Sequence, residues 1–287
     1  MQLLTLNNII EGTVVKRPSK FIKTPYVADV KIDNVSNDLI LAHTASLGCC
    51  GLADIDATIL MAPMPIPKNK NNKQKCQYRI YLSVFRDSIR EKEVIVGIHP
   101  KLAEDLVESA LQKNYLSILK NIKSYKRETT IYLEGKVDSR FDFTGIDNNG
   151  CPFIMEVKNV PLADYEDVCK KDRKEYDFTD RDFNSKVAYF PDGYRKKSTD
   201  TVSPRALKHI RELMFIKKHS KTRCIMCYVI QRTDVNCFTA SIIDQEYKNA
   251  FNDAMNSGVE IITIVVKWNK ENNNANAEFI CDNLSIV

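Results

Sequence analysis

The chain has 287 residues, of which 44% are hydrophobic, and carries a formal net charge of +5 at pH 7. This composition supports a globular protein with one large or two ordinary domains, and its mild positive charge permits polyanion binding without requiring it. The sequence has neither a run of roughly 18 apolar residues nor an N-terminal signal pattern. We therefore expect no membrane association and an intracellular, cytoplasmic location, or a nuclear one in a eukaryote.

Nine cysteines are an odd number in a chain without a signal peptide, which favours reduced thiols over a disulfide framework. Cys224 and Cys227 form a C-x-x-C inside an apolar run. A strand would send these two side chains to opposite faces. Buried structural thiols are therefore favoured over a zinc or redox site.

The first third of the chain alternates short apolar segments with turn-rich pieces, which predicts a small β-barrel or sandwich. The predicted strands are 9–16, 26–32, 39–43, 57–61 and 77–85. A further strand is predicted over 93–98, and the boundary between two domains is expected near residues 88–98.

The second part mixes helices and strands, which predicts a sheet flanked by helices. Helices are expected from Pro100, from Ser203-Pro204 and from Asp244, each at a capping or first-turn signal. In the second helix the apolar spacing places Leu207, Ile210 and Met214 inward, and it leaves a mostly outward set of Arg205, Lys208, His209 and Glu212. Residues 164–186 suggest an exposed, charge-rich insertion, and residues 269–276 a loose connection.

Residues 142–158 carry the pattern that organises the chain. Two alternating runs flank Asn148-Asn149-Gly150, which predicts a β-hairpin with Gly150 in the left-handed conformation. Asp147 then pairs with Cys151, and Asp142 lies opposite Glu156.

Alternation along this hairpin places two carboxylates and a lysine on one face, namely Asp142, Glu156 and Lys158. The other face is the expected core side, with Phe141, Phe143, Met155 and Val157. Opposed carboxylates repel unless a cation compensates them, and a hard ion such as Mg²⁺ suits such oxygen ligands. Spacing alone leaves a structural salt bridge as an equal alternative.

Several stretches, in order along the chain, resemble the sugar fermentation stimulation protein family (SfsA). They are Ala28-Asp29-Val30, Ser139-Arg140-Phe141-Asp142-Phe143, Glu156-Val157-Lys158-Asn159-Val160, Phe190-Pro191-Asp192, Arg205-x-x-Lys208-His209-x-x-Glu212-Leu213, Val229-Ile230-Gln231-Arg232-x-Asp234, and Ile243-Asp244-x-x-Tyr247 followed by Ala254 and Gly258-Val259-Glu260-Ile261. The first domain departs from the family at residues 43–48, where the family has a His-Cys-Pro-Asn-Thr-Gly-like loop.

The resemblance implies an α+β or α/β protein in two parts. Residues 1–92 would form an N-terminal OB-like β-barrel that is a candidate for nucleic-acid binding. Residues 93–287 would form a restriction-endonuclease-like PD-(D/E)xK domain with a mixed sheet flanked by helices. In that class an acid on one strand precedes (D/E)-x-K on the next, which matches Asp142 and Glu156-Val157-Lys158.

The function this implies is metal-dependent hydrolysis of phosphodiester bonds in DNA, or RNA as well. Asp142 and Glu156 would hold Mg²⁺, for which Mn²⁺ could substitute, and Lys158 would act on the attacking water or the phosphoryl oxygens. The candidate nucleic-acid-binding residues are Arg17, Lys20, Arg140, Arg205, Lys208 and His209. For Arg205 and Lys208 a solvated helix face is the alternative, and for the barrel a scaffold role.

Other assignments remain open at this point. The family has an additional upstream acid, for which Glu128 and Glu134 compete, and Asp192 is either an outer metal ligand or an N-terminal cap of the segment that follows it. A DNA-binding regulator of sugar metabolism that does not cleave is the alternative function, and a protein-interaction scaffold is a third. The sequence does not decide strand preference or oligomeric state, a homodimer included.

Overall fold

The computed structural model describes residues 1–32, 38–45, 51–65, 75–168, 172–191 and 201–287. The strands are β1 (Gln2–Leu6), β2 (Ile10–Lys16), β3 (Val27–Ile32), β4 (Leu39–His43), β5 (Thr58–Pro63), β6 (Tyr78–Asp87), β7 (Lys92–Gly97), β8 (Ser124–Leu133), β9 (Val137–Ile146), β10 (Pro152–Val160), β11 (Ala163–Asp164), β12 (Lys186–Phe190), β13 (Arg223–Ile230), β14 (Val235–Ala240), β15 (Glu260–Glu271) and β16 (Asn274–Cys281). The helices are α1 (Pro100–Gln112), α2 (Pro204–His219) and α3 (Gln245–Asn256), with a short 3₁₀ turn at Asp172–Glu175.

The strands β2 to β7 form a six-stranded sheet in the order β4-β3-β2-β5-β6-β7. An additional parallel pairing joins β4 to β6, so that each strand from β2 to β6 has at least two neighbours. The predicted strands of the first third are thus present. Their inward side chains, such as Val14, Val30, Ile59 and Ile80, form a separate core cluster because alternation turns them to one side of the sheet.

A seven-stranded mixed sheet has the order β1-β16-β15-β13-β10-β9-β8. Its centre, β10-β13-β15, is parallel, and β13 is apolar and buried from Cys224 to Ile230 because both of its faces are covered. On one face pack α1 residues such as Leu102 and Leu106, and on the other pack residues of α2 and α3 such as Ile210 and Phe251. The fold is therefore mixed α+β, and α1 and α2 lie on opposite faces of the strands that carry the candidate site. Strands β11, β12 and β14 form a third, small sheet.

Two strands pair with strands from the other side of the predicted division at residue 92. β1 pairs with β16 in the seven-stranded sheet, and β7 pairs with β6 in the first sheet. The division into residues 1–92 and 93–287 stays a prediction. No helix in the described ranges has the length and apolar character needed to cross a lipid bilayer.

The predicted common face of Phe141 and Phe143 is wrong. Phe143 packs under α1, whereas Phe141 packs under α2 and α3. The β8–β9 ladder steps from the pair Arg127–Phe143 to the pair Thr129–Phe141 without pairing Asp142, and the intervening Glu128 has a positive φ of 52°. This break in the regular pleat explains why simple alternation does not hold across Asp142.

Two segments are more ordered than expected. Residues 269–276, predicted as a loose connection, form the turn and strand ends of the β15–β16 hairpin, with Asn272 at a φ of 52°. The insertion predicted to be exposed at 164–186 has buried residues near its ends, such as Tyr165 and Phe183. Arg90 anchors this segment through hydrogen bonds to main-chain oxygens, including that of Arg181 at 2.6 Å.

Candidate active site

The hairpin β9–β10 has the predicted register. Its ladder ends with Phe143 opposite Met155, so that Asp142 and Glu156 are the next opposed positions. Gly150 has a φ of 85°, which is the left-handed conformation that the turn requires of it. The turn therefore sets the pairing that brings the two carboxylates together.

Asp142 turns its side chain toward the opposite strand at the point where the ladder ends. Its Oδ2 accepts a hydrogen bond of 2.7 Å from the main-chain nitrogen of Val157. Because the peptide plane is rigid, this N–H has a fixed direction and orients the carboxylate. Asp142 is thus held against the Glu156-Val157-Lys158 segment.

Glu156 is almost completely buried, with 3% of its surface exposed. Its Oε1 accepts hydrogen bonds from Lys158 Nζ and His209 Nδ1, the latter at 2.5 Å. Its Oε2 is also buried and has no hydrogen-bond partner among the described residues. One carboxylate oxygen is therefore fully engaged, and the other is left available to a ligand.

The two carboxylates differ in their proton affinity. Burial, together with the negative charge of Glu156, raises the pKa of Asp142 to about 7. Burial would also raise the pKa of Glu156, but the charge of Lys158 and the hydrogen bond from His209 lower it below its usual value. Glu156 therefore carries its negative charge near neutral pH. Asp142, in contrast, has comparable protonated and ionised populations near pH 7.

Asp142, Glu156 and Lys158 line a cleft of about 350 Å³ between α1, the hairpin and α2. Glu104, from the second turn of α1, lines the same cleft and helps to raise the pKa of Asp142. Arg127 Nη2 donates to Glu104 at 2.9 Å and orients it. Sequence reasoning missed this acid, although the predicted helix from Pro100 and the expected third carboxylate were signals for it.

The predicted additional acids lie elsewhere. Glu128 is exposed and pairs with Lys101 at 3.2 Å and Arg140 at 3.4 Å, and it does not line the cleft. Glu134 is exposed in the turn between β8 and β9. Asp192 lies outside the described residues, so its role as a metal ligand or cap stays a prediction.

Helix α2 contributes differently from the expectation. The outward prediction was wrong for His209 and Glu212, which are 3% and 6% exposed. The carboxylate face of the hairpin is covered by α2, and buried polar groups need partners there. His209 bonds to Glu156, and Glu212 Oε1 accepts from the Asp138 main-chain nitrogen at 3.0 Å.

The basic candidates divide into two groups. Arg205 is exposed and lines the cleft, whereas Lys208 lies on the helix surface with its Nζ donating to the Asp138 carbonyl. Arg140 is exposed beside Glu128. None of Lys208, Arg140 or the two first-sheet candidates, Arg17 and Lys20, lines the cleft.

The two first-sheet candidates have local contacts. The Arg17 side chain is only 6% exposed, and its Nε donates to the Pro25 carbonyl at 2.9 Å. Lys20 is exposed, with its Nζ 4.8 Å from the centre of the Phe21 ring. The structure therefore brings Asp142, Glu156, Lys158, Arg205 and His209 together, but does not add Arg17 or Lys20 to this group.

The donor set of the cleft suits a hard divalent cation. In the ranges that the structure describes, no three His, Cys, Asp or Glu side chains form a ready-made metal-binding group. The cleft nevertheless offers the carboxylates of Asp142, Glu156 and Glu104, and Oε2 of Glu156 is buried with no hydrogen-bond partner among the described residues. Such a cation takes oxygen ligands and commonly keeps several waters, so a complete protein cage is not required.

Sequence comparisons give a consistent result. The family model described as the sugar fermentation stimulation protein RE domain matches residues 101–170 and 178–272. A sugar fermentation stimulation protein homolog of Jannaschia sp. (strain CCS1) is 31% identical over 256 residues, which cover 88% of this chain and 86% of that protein. A homolog of the same description from Prochlorococcus marinus (strain NATL1A) is 28% identical over 261 residues, with coverages of 88% and 86%.

A comparison with solved structures matches the whole chain. The structure of Pyrococcus furiosus SfsA in complex with Ca²⁺ superposes with a TM-score of 0.71 and 18% sequence identity. The match covers 100% of this chain and 99% of that one. At this identity the similarity establishes the fold.

Proposed function

This chain belongs to the sugar fermentation stimulation protein (SfsA) family, and from that premise we propose that it is a metal-dependent nuclease that hydrolyses phosphodiester bonds of DNA, or RNA. One observation carries the proposal. Asp142, Glu156 and Lys158 meet in a single cleft, with one oxygen of Glu156 saturated by hydrogen bonds and the other unpartnered among the described residues.

We further propose that the first sheet is an OB-like barrel and that the seven-stranded sheet belongs to a PD-(D/E)xK domain. The closed set of pairings among β2 to β6, with β4 parallel to β6, supports an OB-like barrel. The mixed sheet with Asp142 on β9 and Glu156-Val157-Lys158 on β10 supports a PD-(D/E)xK domain. The barrel would help to bind DNA or RNA.

Asp142 and Glu156 would hold Mg²⁺ or Mn²⁺, with Glu104 as a further carboxylate. The Ca²⁺ complex of the Pyrococcus furiosus protein supports divalent metal binding in this family. When bound, such an ion lowers the pKa of a coordinated water and neutralises phosphate charge. Asp142 and Glu156 are buried and repel each other, and a bound divalent cation would offset this repulsion.

The other residues of the cleft have separate tasks. Lys158 places an ammonium beside Glu156, from which it orients the attacking water or stabilises charge on the phosphoryl oxygens. Arg205 binds a phosphate of the substrate, since it lines the cleft and forms no ion pair with any described residue. His209 is a positioning residue that fixes the Glu156 carboxylate through Nδ1.

The test is cleavage of labelled single-stranded DNA, duplex DNA and RNA by the purified protein with Mg²⁺, Mn²⁺ or EDTA. Metal-dependent cutting should be lost in Asp142→Ala and Lys158→Ala while nucleic-acid binding is kept. Lys218→Ala is a matched control, because Lys218 is an exposed lysine at the end of α2. Salt-sensitive binding without cutting under any metal would replace the nuclease by a non-cleaving, DNA-binding regulator of sugar metabolism.

A further inference from the structure

Arg79 and Arg205 stand apart from the other arginines in the described ranges. Each of the others forms an ion pair with an aspartate or glutamate. Arg205 lines the proposed active site, where a substrate phosphate would neutralise it. Arg79 lies on β6 of the first sheet, outside that cleft.

The pairing of strands places Arg79 beside a histidine. In the parallel β4–β6 pair, His43 is the partner of Arg79. On its other side Arg79 is opposite Ala62 of β5. Ala62 and Tyr81 pack against the core that contains α1. Arg79 is therefore on the side of the first sheet that faces the start of that helix.

A second histidine comes from the start of α1. His99 is the residue that precedes the helix and is 8% exposed. Its main-chain nitrogen donates to the Tyr81 carbonyl at 3.2 Å, and its ring centre lies 5.1 Å from that of Tyr81. Burial, followed by the charges of Arg79 and His43, lowers the pKa of His99 to about 4, which is consistent with the three side chains being neighbours.

Each of these three side chains has an unsatisfied polar atom. His43 Nδ1, Arg79 Nε and His99 Nδ1 are all buried and have no hydrogen-bond partner within the described residues. Arg79 also has no carboxylate there to balance its charge. Leaving such groups unpaired away from water is costly, so the cluster lacks an anionic acceptor.

We propose that Arg79, His43 and His99 form a phosphate-binding site. The planar guanidinium offers parallel N–H donors that match phosphate oxygens, and a neutral imidazole can donate one more hydrogen bond. Helix α1 starts here with no acidic residue in its first turn and no side-chain cap, which leaves the N-terminal partial positive charge uncompensated.

Tyr26 indicates the kind of molecule that carries this phosphate. Its ring is 40% exposed and stacks on His43, with centres 6.5 Å apart and planes 12° apart. An exposed aromatic ring beside a phosphate site can stack on a nucleobase. The phosphate therefore belongs to a nucleic-acid backbone or to a free phosphate compound; the first source rests on the proposed function.

The experiment uses the full chain with Asp142→Asn in EDTA, so that neither metal binding nor cleavage contributes. The four histidines give few ring-proton NMR signals, and inorganic phosphate is titrated at constant ionic strength. We expect saturable changes at His43 and His99, with His219, which is exposed at the end of α2 and outside the cleft, as the internal reference. Arg79→Gln should remove the changes, Arg79→Lys should weaken them, and Arg86→Gln, on the same strand but exposed, should leave them intact.

A fluorescent single-stranded oligothymidylate distinguishes the two sources. For a backbone phosphate, Arg79→Gln should weaken binding on the order of tenfold and reduce the slope of log K against log salt by about 1. Unchanged oligonucleotide affinity with intact phosphate titration would assign the site to free phosphate. If folded protein shows neither phosphate-induced changes nor a weaker oligonucleotide complex in Arg79→Gln, the inference is wrong, even where the parent protein cuts DNA.

Discussion

His209 Nδ1 donates to Glu156 Oε1 at 2.5 Å, and both side chains are buried although they are 53 residues apart in sequence. An imidazole that donates through Nδ1 holds its hydrogen-bond acceptor at a fixed angle. Because Lys158 bonds to the same oxygen, Glu156 cannot rotate without breaking two contacts. Helix α2 therefore determines which carboxylate oxygen of Glu156 remains without a hydrogen-bond partner among the described residues.

Replacing His209 should impair catalysis more than nucleic-acid binding. We expect His209→Ala to lower kcat roughly 10–100-fold, as for the loss of other residues that orient a metal-binding carboxylate. His209→Asn, which can place an N–H near the position of Nδ1, should recover part of the rate. The measurement is steady-state cleavage with binding followed by anisotropy. Equal losses in both variants, with a matching fall in stability, would show a purely structural role.

Glu104 should contribute to metal-dependent cleavage, whereas its neighbour on the same helix, Glu108, should not. Both carboxylates bind Arg127, but only Glu104 lines the cleft. We expect Glu104→Gln to reduce metal-dependent cleavage on the order of 100-fold, since a charge aimed at the reacting centre is lost. Glu108→Gln should lower activity at most a few-fold. If both changes had the same effect on Mg²⁺ titrations of activity, the contribution of Glu104 would be limited to holding Arg127.

Removing the charge of Asp142 should stabilise the metal-free protein. Its pKa is raised to about 7 by burial and by Glu156, so above that pH the ionised form destabilises the fold. Asp142→Asn should gain roughly 2–4 kcal/mol in unfolding free energy at pH 8 in EDTA, an upper range because some water relaxes the site. We expect Mg²⁺ or Mn²⁺ to raise the Tm of the parent protein, and this variant should lose that increase. A variant less stable than the parent in EDTA would contradict this electrostatic account.

His99 should make the fold sensitive to mild acid. Its pKa is about 4 in the folded protein, against a usual value near 6.5. The unfolded chain binds the proton first, so stability is full above pH 6.5 and falls as the pH is lowered toward 4. The contribution is at most about 3 kcal/mol. Denaturant unfolding between pH 4 and 7, in a buffer without phosphate, should show a shallower loss in His99→Gln. Parallel curves for the two proteins would contradict the prediction.

The hairpin was predictable because its information is local. Asn148-Asn149-Gly150 fixes the turn, and a hydrogen bond from Asp147 to Cys151 follows at 2.9 Å. Once the register is known, Asp142 and Glu156 must face each other. The separation of Cys224 and Cys227 onto opposite faces of β13 was predictable for the same reason, and the two thiols lie in different core clusters.

The remaining features depend on contacts between distant segments. His209 looks like an outward residue in an isolated helix, because its buried partner, Glu156, belongs to another element. Glu104 occupies an ordinary position in the periodicity of α1, and only packing of that helix against β10 brings it to Asp142. The break in the pleat at Asp142 likewise follows from Glu128 on the neighbouring strand, which has a positive φ. A period-two pattern of apolar residues in β9 carries no information about this conformation.

The pairing of β1 with β16 has a consequence for how the protein is made. Leu6 is opposite Ala275 at the edge of the seven-stranded sheet, so these partners leave the ribosome far apart in time. The first sheet, from β2 to β7, is local in sequence and can assemble while synthesis continues. β1, in contrast, has no strand partner until β16 has emerged from the ribosome. We therefore expect nascent chains stalled before residue 274 to leave β1 open to protease, and chains in which residues 274–281 have emerged to protect it.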